Sequence, residues 1–137
     1  MDIPDQELAV ITYAERACFD PPHIGLLVRV QAYVARVSDT WDNELRCHEL
    51  ARAVHLVVYA RGEHKLDVVD GKCGPIEHSW LRFSDGVILD PYAPGRMPAV
   101  QIVDPIVGTA YRPGVPRSDI RQAIVDRLVL KMRGGGV

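Results

Sequence analysis

The sequence predicts an α+β domain in which N-terminal helices pack on an antiparallel sheet and a last helix closes the fold. Three observations point there. Residues Ile24 to Val37 are apolar at Leu27, Val30, Tyr33 or Val34, and Val37, the spacing of one helix face. Ile76 to Phe83 and Val87 to Asp90 read as strands flanking a Ser84-Asp85-Gly86 turn. Ser118 to Met132 is again amphipathic, with Ser118 as cap and Ile120, Ile124 and Leu128 facing inward. Helices first, then strands, then a helix is the order of an α+β architecture.

The remaining elements follow from the same signals. The cluster Ser38-Asp39-Thr40-Trp41-Asp42-Asn43 is rich in N-cap residues and predicts a second helix running to about Ala60, before Gly62. Its apolar stripe reads Cys47, Leu50 or Ala51, Val54, and Val57 or Val58. Lys65 to Asp70 is predicted as a strand ending at Gly71, and Ala99 to Val103 as a further one. Prolines at positions 91, 94, 98, 105, 113 and 116 break up what lies between and beyond. A single domain is expected over residues 1–133, with a flexible tail at 134–137. A chain of 137 residues buries about two thirds of its unfolded surface, enough for a core without staples.

Composition excludes several classes of function. Sixteen Lys and Arg against eighteen Asp and Glu leave a net charge of −2, no electrostatic case for a nucleic-acid partner. The apolar runs are too short to span a bilayer, so no membrane partner is expected. The acidic start Met1-Asp2-Ile3-Pro4-Asp5 does not read as a secretion signal. Three cysteines do not make a disulfide framework, and reduced thiols in the cytoplasm are expected.

Three polar residues occupy positions where the pattern asks for packing: Cys47 on the stripe of the second helix, His78 inside a strand, and Asp90 at the end of the next. Hairpin register decides whether the last two can meet. A two-residue Asp85-Gly86 turn would put His78 and Asp90 on opposite faces, because strand side chains alternate. A three-residue loop with Gly86 left-handed pairs Phe83 with Val87. Asp90 then lies opposite Trp80, and His78 is its diagonal neighbour at about 7–8 Å between backbone positions. A Cys-His-Asp triad therefore requires the longer loop. In such a triad an imidazolium and a helix N-terminus favour the thiolate. The carboxylate holds the ring's tautomer, and the sulfur attacks an acyl carbon.

In order, Cys47-His48-Glu49-Leu50-Ala51, Glu77-His78-Ser79-Trp80-Leu81-Arg82-Phe83 and Asp85-Gly86-Val87-Ile88-Leu89-Asp90-Pro91 resemble the transglutaminase-like branch of the papain-like thiol enzymes, over roughly residues 43 to 92. The resemblance implies Cys47 as nucleophile at a helix start, His78 as general base and acid, and Asp90 as the residue orienting it. It implies a hydrolase or acyltransferase acting on a peptide, protein or small acyl or amide substrate, with no cofactor. The oxyanion donors would be the Cys47 backbone N–H together with Asn43 or Gln31, and Trp41 and Trp80 are candidates for contact with substrate. Arg46 stands where that family usually has a small residue. The 31-residue separation of Cys47 from His78 suggests a minimal, open site.

Other readings compete. Cys18 with His23, and Cys73 with His78, share one spacing and together make a Cys2His2 set suited to zinc, with Pro21, Pro22 and Pro75 placing them in loops. A catalytically inactive papain-like binding module is another possibility. In a third reading Cys73, flanked by glycines, is the reactive thiol. His48 is expected either at the surface or behind the nucleophile as a supporting residue, since neighbours on a helix do not share a face, and Glu49 on the solvated side of the helix. Arg117, Arg121, Arg127, Lys131 and Arg133 would form a solvated cationic face on the last helix.

Overall fold

The computed structural model describes residues 21–37, 45–60, 65–92, 100–104 and 110–134. Within them the chain is α+β, with three helices and one five-stranded antiparallel sheet. The helices are α1 (Pro21–Ala35), α2 (Cys47–Ala60) and α3 (Gln122–Met132). The strands are β1 (Leu66–Cys73), β2 (Ile76–Phe83), β3 (Ile88–Asp90), β4 (Gln101–Val103) and β5 (Tyr111–Pro113), in the spatial order β4-β3-β2-β1-β5.

Alternation along the strands gives the sheet two different faces. Leu66, Leu81, Phe83 and Leu89 lie on the face covered by helices, where they meet Leu26 and Val30 of α1, Leu50 and Val54 of α2, and Val125 and Leu128 of α3. Val69, Trp80, Ile88 and Val103 form a smaller cluster on the other face, with Tyr111 against it. Helix α2 packs on β1, β2 and α3, which brings its N-terminal end to the middle of the sheet.

Several boundaries differ from the sequence expectation for physical reasons. Pro21 and Pro22 open α1 rather than lying in a loop, because a first-turn proline forgoes only an N–H that the helix leaves unbonded anyway. Helix α3 starts at Gln122, not Ser118, with Arg121 as its N-cap and no side-chain cap of its own. The Arg121 backbone N–H instead donates to Glu49 Oε2 at 3.0 Å, so a carboxylate from α2 satisfies the start of α3. Strand β1 runs through Gly71 to Cys73, and β5 lies beside it, with Gly71 opposite Pro113. A Cβ at Gly71 would collide with the Arg112 carbonyl oxygen and the backbone of Pro113 and Gly114. Glycine here admits a neighbouring strand; it does not end one.

The β2–β3 hairpin has the longer of the two loops considered. Phe83 N–H donates to Val87 O at 2.8 Å, Gly86 N–H donates to Phe83 O at 2.9 Å, and Gly86 is left-handed at φ +94°. Leu81 pairs with Leu89, and one step further along that ladder Asp90 comes opposite Trp80. His78 and Asp90 thus share a face.

Candidate active site

Cys47 is the first residue of α2. The Leu50 N–H already reaches back to the Arg46 carbonyl at 3.1 Å, so the sulfur sits at the positive end of the helix. His78 Nε2–H donates to Asp90 Oδ2 at 2.8 Å. Cys47 and His78 are near enough for each to shift the other's protonation, while the ring at hydrogen-bond distance from the sulfur is that of His48. Of the three residues proposed from their order in the chain, His78 and Asp90 are in direct contact, and Cys47 interacts electrostatically with His78.

Asp90 is held from several sides. Its Oδ2 also accepts the Tyr111 hydroxyl at 2.7 Å, and its Oδ1 accepts the Tyr92 N–H at 3.0 Å. Gln101 Nε2 in turn donates to the Tyr111 oxygen at 3.1 Å. The His78 ring stacks on Trp80, with centroids 6.0 Å apart, and Tyr111 meets Trp80 edge-on at 5.2 Å. Trp80 is therefore a buried support for the imidazole, not a residue presented to substrate.

The surroundings set the charge states. Burial pushes the Cys47 thiol up, but hydrogen bonds with His48 and His78 outweigh it and bring the group down to about 6. Burial pushes His78 down, yet its bonds to Asp90 and Cys47 carry it up to about 9. Between those limits the thiolate–imidazolium pair is the favoured form. Burial and the adjacent carboxylate push Tyr111 above the usual phenol range, so it remains a donor. The expected open site is not what is found. Cys47, His78 and Asp90 are 8%, 2% and 0% exposed, since the helix layer and the second aromatic cluster enclose them.

Glu49, expected on the solvated side, is buried in this region, and of the two places expected for His48 the buried one beside the nucleophile is found. His48 lies beside the sulfur, with Nδ1 at 3.6 Å and Nε2 at 3.9 Å from Sγ. The rule that helix neighbours diverge fails because Cys47 opens the helix and both side chains turn toward the sheet. Glu49 is fully buried and accepts hydrogen bonds from Arg46 and Arg121. Arg46 also reaches Asp119 Oδ2 at 3.2 Å, so it is directed toward the start of α3. Arg117 and Arg121 are tied to Asp119 and Glu49 and are not a free cationic face. An i,i+3 Arg–Glu spacing was the one sequence signal of that clamp.

The other candidates separate. Trp41, Asn43 and Cys18 lie outside the described residues. Gln31 is solvent-facing on α1 and cannot serve an oxyanion at a buried sulfur. His23 Nε2 is 2.8 Å from Asp85 Oδ2 and its ring meets Phe83, at the hairpin end of β2. His78 is five residues away on that strand, about 16 Å at a rise of ~3.3 Å per residue. The two histidines therefore cannot share an ion, and among the described residues no group of three or more His, Cys, Asp or Glu could hold a metal. Burial and Asp90 push the half-buried Cys73 thiol up, with Tyr111 opposing them, which is the reverse of activation.

No known protein family, curated protein or solved structure matches the chain. Among the described residues no helix is long and apolar enough to cross a membrane.

Proposed function

We propose that the chain is a thiol-dependent acyl-transfer enzyme of the papain-like, transglutaminase-like kind, acting in the cytoplasm without a cofactor. The observation that supports this reading is the His78–Asp90 pair, bonded at 2.8 Å and close enough to the Cys47 thiol at a helix N-terminus to favour its thiolate. The Cys47 thiolate attacks the carbonyl carbon of a peptide or carboxamide, and the S–C bond forms. His78 gives its proton to the departing amine as the C–N bond breaks. The neutral ring then takes a proton from water or an amine as that acceptor displaces the sulfur. Asp90 keeps the ring in the required tautomer throughout. The Cys47 backbone N–H is the first donor for the oxyanion.

An activated ester such as p-nitrophenyl acetate tests the proposal. The expected result is an acetyl adduct on Cys47 detected by mass spectrometry, absent in Cys47→Ala and formed about 100-fold more slowly in His78→Ala. Acetylation of Cys73 alone, or a rate at Cys47 indifferent to His78, assigns the inactive binding module instead.

A further inference from the structure

Cys47 is 8% exposed, yet an acyl carbon has to reach its sulfur. The chain between β5 and α3 borders the same region. Residues 114–121 form no helix or strand, and Gly114, Val115, Pro116, Ser118 and Asp119 are exposed. This segment is tied first to the sheet and then to α2. The Gly114 N–H donates to the Asp70 carbonyl oxygen at 2.8 Å, and the Arg117 N–H donates to Asp70 Oδ2 at 3.0 Å. Arg117 Nη1 reaches Glu77 Oε1 at 3.4 Å. Two residues on, Asp119 Oδ2 accepts Arg46 Nη1 at 3.2 Å, and the Asp119 carbonyl oxygen accepts Arg46 Nη2 at 3.0 Å. Arg117 and Asp119 are also paired with each other, at 2.9 and 2.8 Å. Arg46 directly precedes Cys47, and Glu77 directly precedes His78. The segment thus crosses from the sheet to α2 over the seam at which the sulfur lies, the seam that His48 spans to Ser79 at 2.7 Å.

We propose that residues 115–119 are a gate held by ion pairs over Cys47, lifting to admit the acyl substrate and otherwise shielding the thiol. This rests on the acyl-transfer reading of Cys47. Three features suit such a movement. The outer ties are exposed ion pairs, which hold weakly and are screened by salt. Lifting the segment orphans no buried acid. Asp70 keeps both guanidinium nitrogens of Arg52, at 3.0 and 2.6 Å, and the Ser79 hydroxyl at 2.6 Å. Glu49 keeps Arg46 Nε at 2.8 Å. The two ends stay anchored, by Gly114 on the Asp70 carbonyl and by the Arg121 N–H on Glu49 Oε2 at 3.0 Å, so the displacement is confined between them.

The test is the rate of Cys47 alkylation by iodoacetamide, an uncharged reagent, in the full chain at about pH 7.5 and at roughly 0.05 and 0.5 M NaCl. At low salt Asp119→Asn is expected to react about fivefold faster than wild type, and Arg117→Gln likewise. High salt should bring wild type up to the variants and leave the variants unchanged. The pH midpoint of the reaction should stay at the wild-type value, because a gate alters access and not the charge of the thiol. Asp126→Asn, an exposed position of α3, is the control and should leave the rate unaltered. A rate insensitive both to Asp119→Asn and to salt overturns the gate. So does a raised midpoint in Asp119→Asn, which would make the ion pairs a means of positioning the thiol. In either case a slower reaction in His78→Ala preserves the acyl-transfer reading. Equal rates in wild type and His78→Ala remove that reading, and the gate with it as a device of catalysis.

Discussion

Tyr111 donates its phenolic hydrogen to the same Asp90 oxygen that receives His78 Nε2. One carboxylate oxygen thus joins the edge strand β5 to the His78 imidazole of β2, and Gln101 of β4 reaches the phenol from the other edge. Removing the hydroxyl in Tyr111→Phe leaves Gln101 and Asp90 each short of a buried partner. The expected cost is about 1–2 kcal/mol in urea unfolding. The acid limb of Cys47 alkylation should move much less than in Asp90→Asn, because the His78–Asp90 contact survives.

The two charge states set a pH window. Cys47 is held down to about 6, so its thiolate is present above that value and lost below it. His78 is held up to about 9, so its proton is available below that value and lost above it. Acyl transfer to an activated amide is therefore expected to plateau between about pH 6 and 9 and to fall on both sides. The midpoints of a pH–rate profile check this.

Glu49 organises the junction of α2 and α3. Burial raises it, but hydrogen bonds from Arg46 and Arg121 prevail and hold it at about 2; Asp70 is held at about 2 against burial by Arg52, Ser79 and Arg117. A carboxylate held down in the fold lends stability that is complete above its unfolded value, here 4.5 and 3.8. That stability is lost as pH falls through 2. Glu49→Gln is expected to cost about 2–3 kcal/mol at neutral pH and to reduce the difference in stability between pH 7 and pH 3. Thermal unfolding at the two pH values measures both.

Gly71→Ala forces a methyl group onto the Arg112 carbonyl. A loss of about 1–3 kcal/mol is expected, with faster amide exchange confined first to β5 and Gly114. Uniform exchange across the sheet would show that β5 does not depend on that close approach.

The parts legible in the sequence were those governed by local rules. Apolar spacing marked α1 and α2, and the loop Ser84-Asp85-Gly86 fixed which of two registers could unite His78 with Asp90. Strand β5 was hidden because Pro113 lies on an edge, where a missing N–H costs nothing, so a breaker signal overlay a strand. Glu49 was misplaced, and His48 was left open between surface and support, because a charged or polar letter carries no record of its partner. The partners of Glu49 include Arg121, 72 residues further on, and those of His48 include Ser79, 31 residues further on. The start of α3 was misjudged for the same reason, since its cap comes from another helix.

The left-handed Gly86 has an implication for how such a chain can vary over generations. Its hairpin tolerates exchanges of side chain at Ser84 far more readily than any change in count. Deleting a single codon there would swing Asp90 to the opposite side of its ribbon and strip His78 of its counter-ion. The loop therefore works as a molecular ruler, and lineages that keep the chemistry should keep its three-residue length while its letters drift.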